Sequence, residues 1–468
     1  MKLNLFWVPV TVALFTAGCA TRHVSTAPDI AESDSPRQFF EMKGKGEGST
    51  SPFASAPESE QTVPDQLTMA AALALALAKN PSLTGFSAEI RAREAAALQA
   101  EVLPNPELGV EVDNFGGKDS LQGFDTAETT ISFSQLVELG GKRENRRMVA
   151  GLEKTLAEWD YRSRKLDVLA ATAKAFVEVL IAQEEVATND ELLKLAEQTA
   201  AAVGEKVAAG KVSPVEELRA RIELAAARTE AAKAGRELKA AGRRLAGFWG
   251  GDRAGFARAI GQLGEIPALP EEESLKRFLS ANPDLARWQA EIERSEAALA
   301  LARSEAVPDL TLSAGFRNFQ ESDDNAFVAG VSLPIPFFNR NQGGVSEARA
   351  RLDKARAEEK SDRVARLTDL SSAWQQLAAA HGEATGLKEE ILPAARDAYA
   401  STEFGYREGK LDFLQMLDAQ RTLFTVKRQY LASLGAYHLT RIDLERLAGA
   451  PLGSIVQKIQ IKPIKGVY

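Results

Sequence analysis

Four short segments of this chain put apolar side chains on one face only, and four strands cannot close a barrel by themselves. Leu108, Val110 and Val112 alternate with Glu107, Gly109, Glu111 and Asp113, and Ile131 and Phe133 alternate with Thr130, Ser132 and Ser134. Leu310, Leu312, Ala314 and Phe316 alternate with Asp309, Thr311, Ser313 and Arg317. Phe327, Ala329, Val331 and Leu333 alternate with Val328, Gly330 and Ser332. A period of two with one oily and one wet face fits a wall between lipid and a hydrated lumen. Each segment runs about ten residues, the length a tilted membrane strand needs. An open four-stranded sheet would leave unpaired edges in hydrocarbon, so closure has to come from further copies of the chain. Taken alone, the alternation reads first as a small amphipathic sheet on a soluble core, and the rest of the chain has to decide.

The 468 residues would suffice for two or three ordinary domains. Long stretches, however, are dominated by Ala, Glu, Arg, Leu and Lys, only 7% of residues are aromatic, and mean hydropathy is slightly negative. That is the profile of long packed helices. Past the first twenty positions no run of apolar residues is long enough for a transmembrane helix. A net charge of −8 argues against nucleic acid as a partner.

The start reads as an export signal over residues 1–18: Lys2, an apolar run from Leu3 to Ala17, then Ala17-Gly18-Cys19. Small residues before the single cysteine resemble a bacterial lipobox, which makes Cys19 the expected lipid anchor, although Thr16 stands where leucine is usual. Ala20 after Cys19 implies sorting to the outer membrane by the usual lipoprotein pattern. Residues 19–63, rich in Ser, Pro, Glu and Gly, read as a flexible tether.

The remainder is duplicated at a period of about 200 residues. Asn80-Pro81-Ser82-Leu83 returns as Asn282-Pro283-Asp284-Leu285, Ala88-Glu89-Ile90 as Ala290-Glu291-Ile292, and Pro106-Glu107-Leu108 as Pro308-Asp309-Leu310. Asn114-Phe115 returns as Asn318-Phe319, Gly210-Lys211-Val212 as Gly409-Lys410-Leu411, and Leu245-Ala246-Gly247 as Leu447-Ala448-Gly449. The expected plan is a first repeat over 64–250 with strands near 106–114 and 126–137, and a linker over 251–270. A second repeat over 271–449 has strands near 308–318 and 326–335, and a tail over 450–468 follows. Each repeat reads helix, strand, loop, strand, long helix, tight turn, helix. The first long helix should run from after Gly141 to about Ala209, roughly 100 Å, with Leu166, Leu169, Ala173, Phe176 and Leu180 as a coiled-coil seam. The second should run from about Gly344 to Glu408 and be kinked or broken at Pro393.

Tyr406-Arg407-Glu408-Gly409 ahead of Leu417-Asp418-Ala419-Gln420, the matching Gly210 segment and the duplicated strand-helix plan resemble the TolC-type outer-membrane efflux factor family, from about Leu67 to Gly449. Pro104-Asn105-Pro106-Glu107-Leu108, Glu111-Val112-Asp113-Asn114-Phe115-Gly116-Gly117 and Glu138-Leu139-Gly140-Gly141-Lys142-Arg143 are similar to its cobalt-zinc-cadmium branch. The resemblance implies a mainly α fold with a membrane β part. It implies a homotrimer whose chains give four strands each to a twelve-stranded barrel in the outer membrane, continued by a long α-helical barrel. It also implies a periplasmic adaptor protein and an inner-membrane pump of the resistance-nodulation-division class as partners.

No enzyme constellation is present. The three histidines are scattered at His23, His381 and His438, and no phosphate-binding loop or nucleophile elbow occurs. No cofactor or metal site is expected, since a conduit that held its cargo tightly would release it slowly. Glu107, Glu111 and Asp113 are candidates for a lumen face that favours cations weakly. The turns Gly210-Lys211-Val212-Ser213 and Gly409-Lys410-Leu411-Asp412 have the residue types of ordinary helix caps. The resemblance makes them candidate adaptor contacts. It also makes Asp418 a candidate for the tunnel-entrance gate. The companion acidic position is Gln415 here, so Glu216 or Glu217 stands as a possible replacement. The expected function is a passive exit duct for divalent heavy-metal cations. The alternatives are the same duct for drugs or secreted substrates, and a poreless, lipid-anchored coiled-coil scaffold.

Overall fold

Nothing between Leu152 and Val203 interrupts helix formation, and in the computed structural model, which describes residues 63–449, that stretch lies within one helix of 67 residues. The leader, Cys19, His23 and the tail over 450–468 lie outside the described residues. In chain order the elements are β1 (Gln66–Thr68), α1 (Met69–Lys79), α2 (Pro81–Glu101), β2 (Glu107–Asp113), β3 (Glu128–Val137), α3 (Lys142–Ala208) and α4 (Pro214–Gly247). They continue with β4 (Arg258–Ile260), α5 (Glu272–Leu279), α6 (Pro283–Ser304), β5 (Leu310–Phe319), β6 (Asp324–Ser332), α7 (Gln342–Gly386), α8 (Leu392–Arg407) and α9 (Phe413–Ala448). The order helix, strand, strand, long helix, helix occurs twice, as the duplicated sequence demands.

The helical part is held by small residues at seven-residue spacing. Ala220, Ala227, Ala234 and Ala241 are the buried stripe of α4, a heptad seam with almost no side-chain volume, so α3 and α4 can approach closely. The middle of α3 is enclosed on several sides, because α1, α2, α4, α6 and α9 all pack on it. Leu169, Phe176 and Leu180 of the expected seam are buried there, joined by Val168, Ala175 and Val179, while Leu166 and Ala173 are half-buried. Phe176, Leu245, Trp249 and Leu434 anchor the largest core cluster.

The stretch 251–270 is strapped to the helices. It contains β4, which pairs in parallel with β1. Gln183 clamps Ala259 by donating to its carbonyl (2.9 Å) and accepting from its N–H (2.8 Å). Tyr437 donates to Pro267 O (3.0 Å) and Trp374 to Pro270 O (2.9 Å). These bonds satisfy backbone groups that an irregular segment would otherwise bury unpaired. His438 Nε2 donates to Leu263 O (2.8 Å), and burial pushes its pKa below the ordinary histidine value against the opposing pull of that bond.

Pro393 does not break the second long helix. Residues Leu387–Ile391 form a π-helical turn between α7 and α8, and the Leu392 N–H reaches back to Leu387 O. Proline has no N–H to give and its ring crowds the carbonyl four residues earlier. Widening one turn relieves both problems, and helix continues on both sides of it.

Candidate conduit wall and hairpin tips

The four alternating segments pair into one antiparallel sheet in the order β2-β3-β5-β6. Residues directly opposite in such a sheet share a face, so the register decides whether four amphipathic strands make one amphipathic sheet. They do. Leu108 lies opposite Phe133, Phe133 opposite Ala314, and Ala314 opposite Ala329. Val110, Ile131, Phe316 and Phe327 form the next row of that face, with Phe316 and Phe327 edge to face at 6.2 Å between ring centroids. This oily face is bare: Leu108 is 72% exposed, Phe327 91% and Val331 70%. At about 25 cal/mol per Å² of apolar surface, a contiguous face of this kind is untenable in water and favourable in lipid.

The other face carries the polar set. Glu107 lies opposite Ser134, which lies opposite Ser313; Glu111 lies opposite Thr130, which lies opposite Arg317; Asp113 lies opposite Glu128. Glu107, Glu111 and Asp113 therefore share one side of the sheet. Arg317 was not among the expected site residues, although it stands in the polar half of its strand's alternation. It donates to Thr130 Oγ1 (2.8 Å) and pairs with Glu128 (2.9 Å), and Asn114 donates to the other oxygen of Glu128 (2.9 Å). A cation thus sits among the wall carboxylates, which position counting alone could not weigh.

The wall passes from sheet to helix at the Glu138-Leu139-Gly140-Gly141-Lys142-Arg143 motif. Gly140 has φ +72°, and a Cβ there would meet the Val307 side chain at 2.8 Å, so both backbone and space require glycine. Asp309 binds the turn by accepting from the Leu139 N–H (2.9 Å) and pairing with Lys142 (2.7 Å). Arg146 grips Glu138 with both arms (2.7 and 3.0 Å), a geometry in which guanidinium outperforms ammonium.

The two hairpin tips close alike and are capped differently. Gly210 (φ +67°) and Gly409 (φ +70°) adopt the left-handed conformation. The N–H of Lys211 bonds Lys206 O (2.9 Å) and that of Lys410 bonds Gly405 O (2.8 Å), the six-to-one closure of a Schellman ending. On the way out the Ser213 hydroxyl accepts from Val215 N (3.3 Å) and has no reciprocal side-chain partner in the turn. Asp412 accepts from Gln415 N (2.8 Å) while Gln415 Oε1 accepts from Asp412 N (3.1 Å), a full capping box. Gln415 is thereby engaged with the backbone of its own turn. Leu411, Gln415 and Asp418 line a shallow groove of about 410 Å³ between α8 and α9, and Asp418 is exposed.

The two candidate glutamates are spent differently. Glu217 pairs with Arg221 at 2.5 Å. Glu216 turns inward, with Oε2 buried and without a hydrogen-bond partner, and the hydroxyl of Tyr406 is in the same condition. Burial first, and the Glu216 carboxylate second, push the Tyr406 pKa above the ordinary tyrosine value. The ring of Tyr406 lies under Lys206 Nζ at 4.0 Å and beside Phe413 at 5.8 Å. Val203, Ala220, Phe413, Met416 and Leu417 form the small core that joins the tips. Among the described residues no cluster of His, Cys, Asp and Glu is arranged to hold a metal ion, and no helix is long and apolar enough to cross a membrane.

Comparison with known proteins agrees with this wall. The outer membrane efflux protein family model matches residues 72–251 and 275–450, one match to each repeat. The chain is 36% identical to the cobalt-zinc-cadmium resistance protein CzcC of Cupriavidus metallidurans, over 82% of this chain and 90% of that one. It is 31% identical to the nickel and cobalt resistance protein CnrC of the same organism, over 64% and 72%. Among solved structures, CusC superposes with a TM-score of 0.68 at 18% identity, over 84% of this chain and 95% of the other. VceC of Vibrio cholerae superposes with 0.68 at 19%, over 82% and 96%. Two family matches falling on the two halves, and a curated relative matched over nine-tenths of its length, lead to one conclusion: this chain belongs to the outer membrane efflux protein family.

Proposed function

We propose that the chain is the outer-membrane subunit of a tripartite efflux system and that three copies close one duct. Twelve strands, four from each copy, form its barrel, and α3, α4, α7, α8 and α9 continue the wall as a helical tube. The observation that carries this reading is the sheet itself: a bare oily face, a polar face, and two unpaired edges at β2 and β6. Open edges in hydrocarbon leave backbone groups without partners, at several kcal/mol each. Pairing β6 of one copy with β2 of the next removes both edges.

The cargo in this reading is a divalent heavy-metal cation, supported by the names of CzcC, CnrC and NccC, each a metal resistance protein. Glu107, Glu111 and Asp113 would give the lumen a weak preference for cations. The tips around Gly210-Lys211-Val212-Ser213 and Gly409-Lys410-Leu411-Asp412 would receive the periplasmic adaptor, behind which stands a resistance-nodulation-division pump. Asp418, threefold repeated, would narrow the entrance with negative charge. Cys19 would carry a lipid that tethers the chain to the outer membrane, and no cofactor takes part.

Single-channel recording of the purified full-length protein in a planar bilayer tests the duct. Discrete cation-preferring conductance is expected, and a silent bilayer with correctly folded protein would overturn it. Growth of a deletion strain on zinc, cobalt and cadmium, set against antibiotics, tests the cargo. Sensitivity to the antibiotics alone would move the reading to a drug duct.

A further inference from the structure

One buried side chain of α9 has chemistry that nothing inside the chain answers. Of the polar groups that α9 buries, Ser433 donates to Tyr430 O at 2.8 Å and Tyr437 donates to Pro267 O at 3.0 Å. Gln420 is the exception. It is 4% exposed, and its Oε1 is buried without a hydrogen-bond partner. Among the described residues its amide makes no hydrogen bond at all. The other buried carboxamides there, Asn80, Asn189 and Asn282, all donate to backbone carbonyls. A buried amide left unpaired forfeits the hydrogen bonds it makes to water, so Gln420 calls for a partner from outside the chain.

The side chain lines a groove of about 310 Å³ between α3, α4 and α9. Helical spacing builds that groove. Leu417, Gln420, Phe424 and Arg428 recur every three or four residues and share one face of α9. Ala227 and Glu230 share a face of α4 in the same way, and Ala196 of α3 completes the lining. Alanine at 196 and 227 leaves space that larger side chains would fill. All the lining residues belong to one chain. A mostly apolar hollow with a few polar groups, at the small end of about 300–1,000 Å³, has the form of a ligand site.

Two charges on the lining are unpaired as well. Glu230 is half-buried and Arg428 exposed, and neither makes an ion pair or hydrogen bond among the described residues. Glu223 and Arg421, which also line the groove, pair with each other and so link α4 to α9. Two acceptors therefore stand without donors, one of them buried, beside the apolar side chains of Leu417 and Phe424.

We infer that this groove binds a small organic cation, a primary ammonium that donates to Gln420 Oε1 and to the Glu230 carboxylate and carries an apolar stem against Leu417 and Phe424. An ammonium has three donors and no acceptor, which is what two unpaired acceptors require. An anion would leave Gln420 Oε1 without a partner. A bare metal ion fits less well, because Glu230 is the one carboxylate of the groove that is not already paired. Arg428 is exposed and screened by water, so it weakens the site without closing it. An occupant here ties α4 of the first half to α9 of the second, whether or not copies of the chain form a duct.

The probe is n-pentylamine, an alkyl amine protonated at neutral pH, with n-pentanol as its uncharged match. Titration calorimetry on the full-length protein in detergent should show saturable binding of the amine and about tenfold weaker binding of the alcohol. Gln420→Leu exchanges the unpaired amide for an apolar side chain of similar size. It should abolish amine binding and raise the melting temperature of the ligand-free protein. Glu230→Gln should weaken the amine about tenfold and leave the alcohol unchanged, and it decides alone if Gln420→Leu does not fold. Amine binding that survives both substitutions, or none in the wild type, would overturn the site. A lower melting temperature for Gln420→Leu would show an amide already satisfied, by water or by the chain, and would overturn it too. Tighter binding of 6-aminohexanoate, the same stem ending in a carboxylate, would replace the cation by a zwitterion held at Arg428.

Discussion

The two halves of the molecule solve one junction with different chemistry. At the start of α6, Asp284 sits with its side chain 12% exposed between Arg446 at 3.0 Å and Arg366 at 3.2 Å, with Ser163 donating to it as well. At the start of α2 the same position is Ser82, held by the single donor Arg164. Duplicated backbones therefore do not imply duplicated energetics. An enclosed carboxylate needs its cations, whereas a hydroxyl at the rim needs only a hydrogen bond. Within one chain, the enclosed site at α6 holds buried charge and the more open site at α2 holds a neutral hydroxyl.

Removing the anion is the severest way to break that comparison. Asp284→Ala leaves two arginines facing each other in a part-buried site and should cost about 3–5 kcal/mol. Ser82→Ala should cost about 1 kcal/mol. Thermal melting of the two variants followed by circular dichroism checks the ratio, and equal losses would remove the distinction between the halves. The charge also has a pH signature. Burial alone would raise the Asp284 pKa, but the Ser163 hydroxyl, Arg446 and Arg366 hold it below the ordinary carboxylate range. With the folded pKa depressed, its stabilisation is complete above the unfolded value of about 4 and is lost as pH falls through the lower folded value. Asp284→Asn should flatten the acid limb of stability below about pH 4, whereas Ser82→Ala should leave it unchanged.

The tips sharpen the same contrast at smaller scale. Asp412→Ala dissolves a reciprocal box and should cost about 1–2 kcal/mol, and Ser213→Ala, which removes one long bond, about 0.5 kcal/mol. Hydrogen exchange in the first turns of α9 and α4 reads the two separately. Asp412 losing no more than Ser213 would mean that the box adds nothing.

A histidine present in one half only gives a milder effect. His438 is held neutral by burial, so its folded pKa lies below the unfolded value of about 6.5. Stability should be full above about pH 6.5 and decline as pH falls below it, and His438→Gln should abolish that slope without touching the acid limb of Asp284. Melting temperatures measured from pH 7.5 to 5.5 decide it. The smallest expected change is at Pro393: Pro393→Ala frees the helix to close with ordinary bonds. It should raise amide protection across Leu387–Ile391 with little change in melting temperature.

Strand positions are largely legible in the sequence, because period-two alternation is a local signal. The expected segments near 106–114, 126–137, 308–318 and 326–335 stand beside observed strands at Glu107–Asp113, Glu128–Val137, Leu310–Phe319 and Asp324–Ser332. The ends moved where side chains cannot report: β6 stops at Ser332 ahead of Pro334, which cannot donate to a ladder. The turn glycines Gly210 and Gly409 were equally legible, since a left-handed helix ending selects glycine locally. Gln415 was not. The resemblance sets it where a gate acid is usual, whereas its side chain serves the Asp412 cap, which the sequence carries as Asp-x-x-Gln. Glu216 could not be told from Glu217 by type or spacing, and only packing turned one toward Tyr406 and left the other with Arg221.

The sequence by itself determined the duplication, the alternating strands, the long uninterrupted helix and the caps, because each depends on residues a few positions apart or on simple self-similarity. Only the tertiary structure decided that four oily stripes align into one face, that Arg317 stands among the wall carboxylates, and that Arg446 reaches Asp167 across the two halves. Those outcomes depend on strand register and on helices meeting more than a hundred residues apart, and no local pattern encodes which of two equivalent partners a side chain will find.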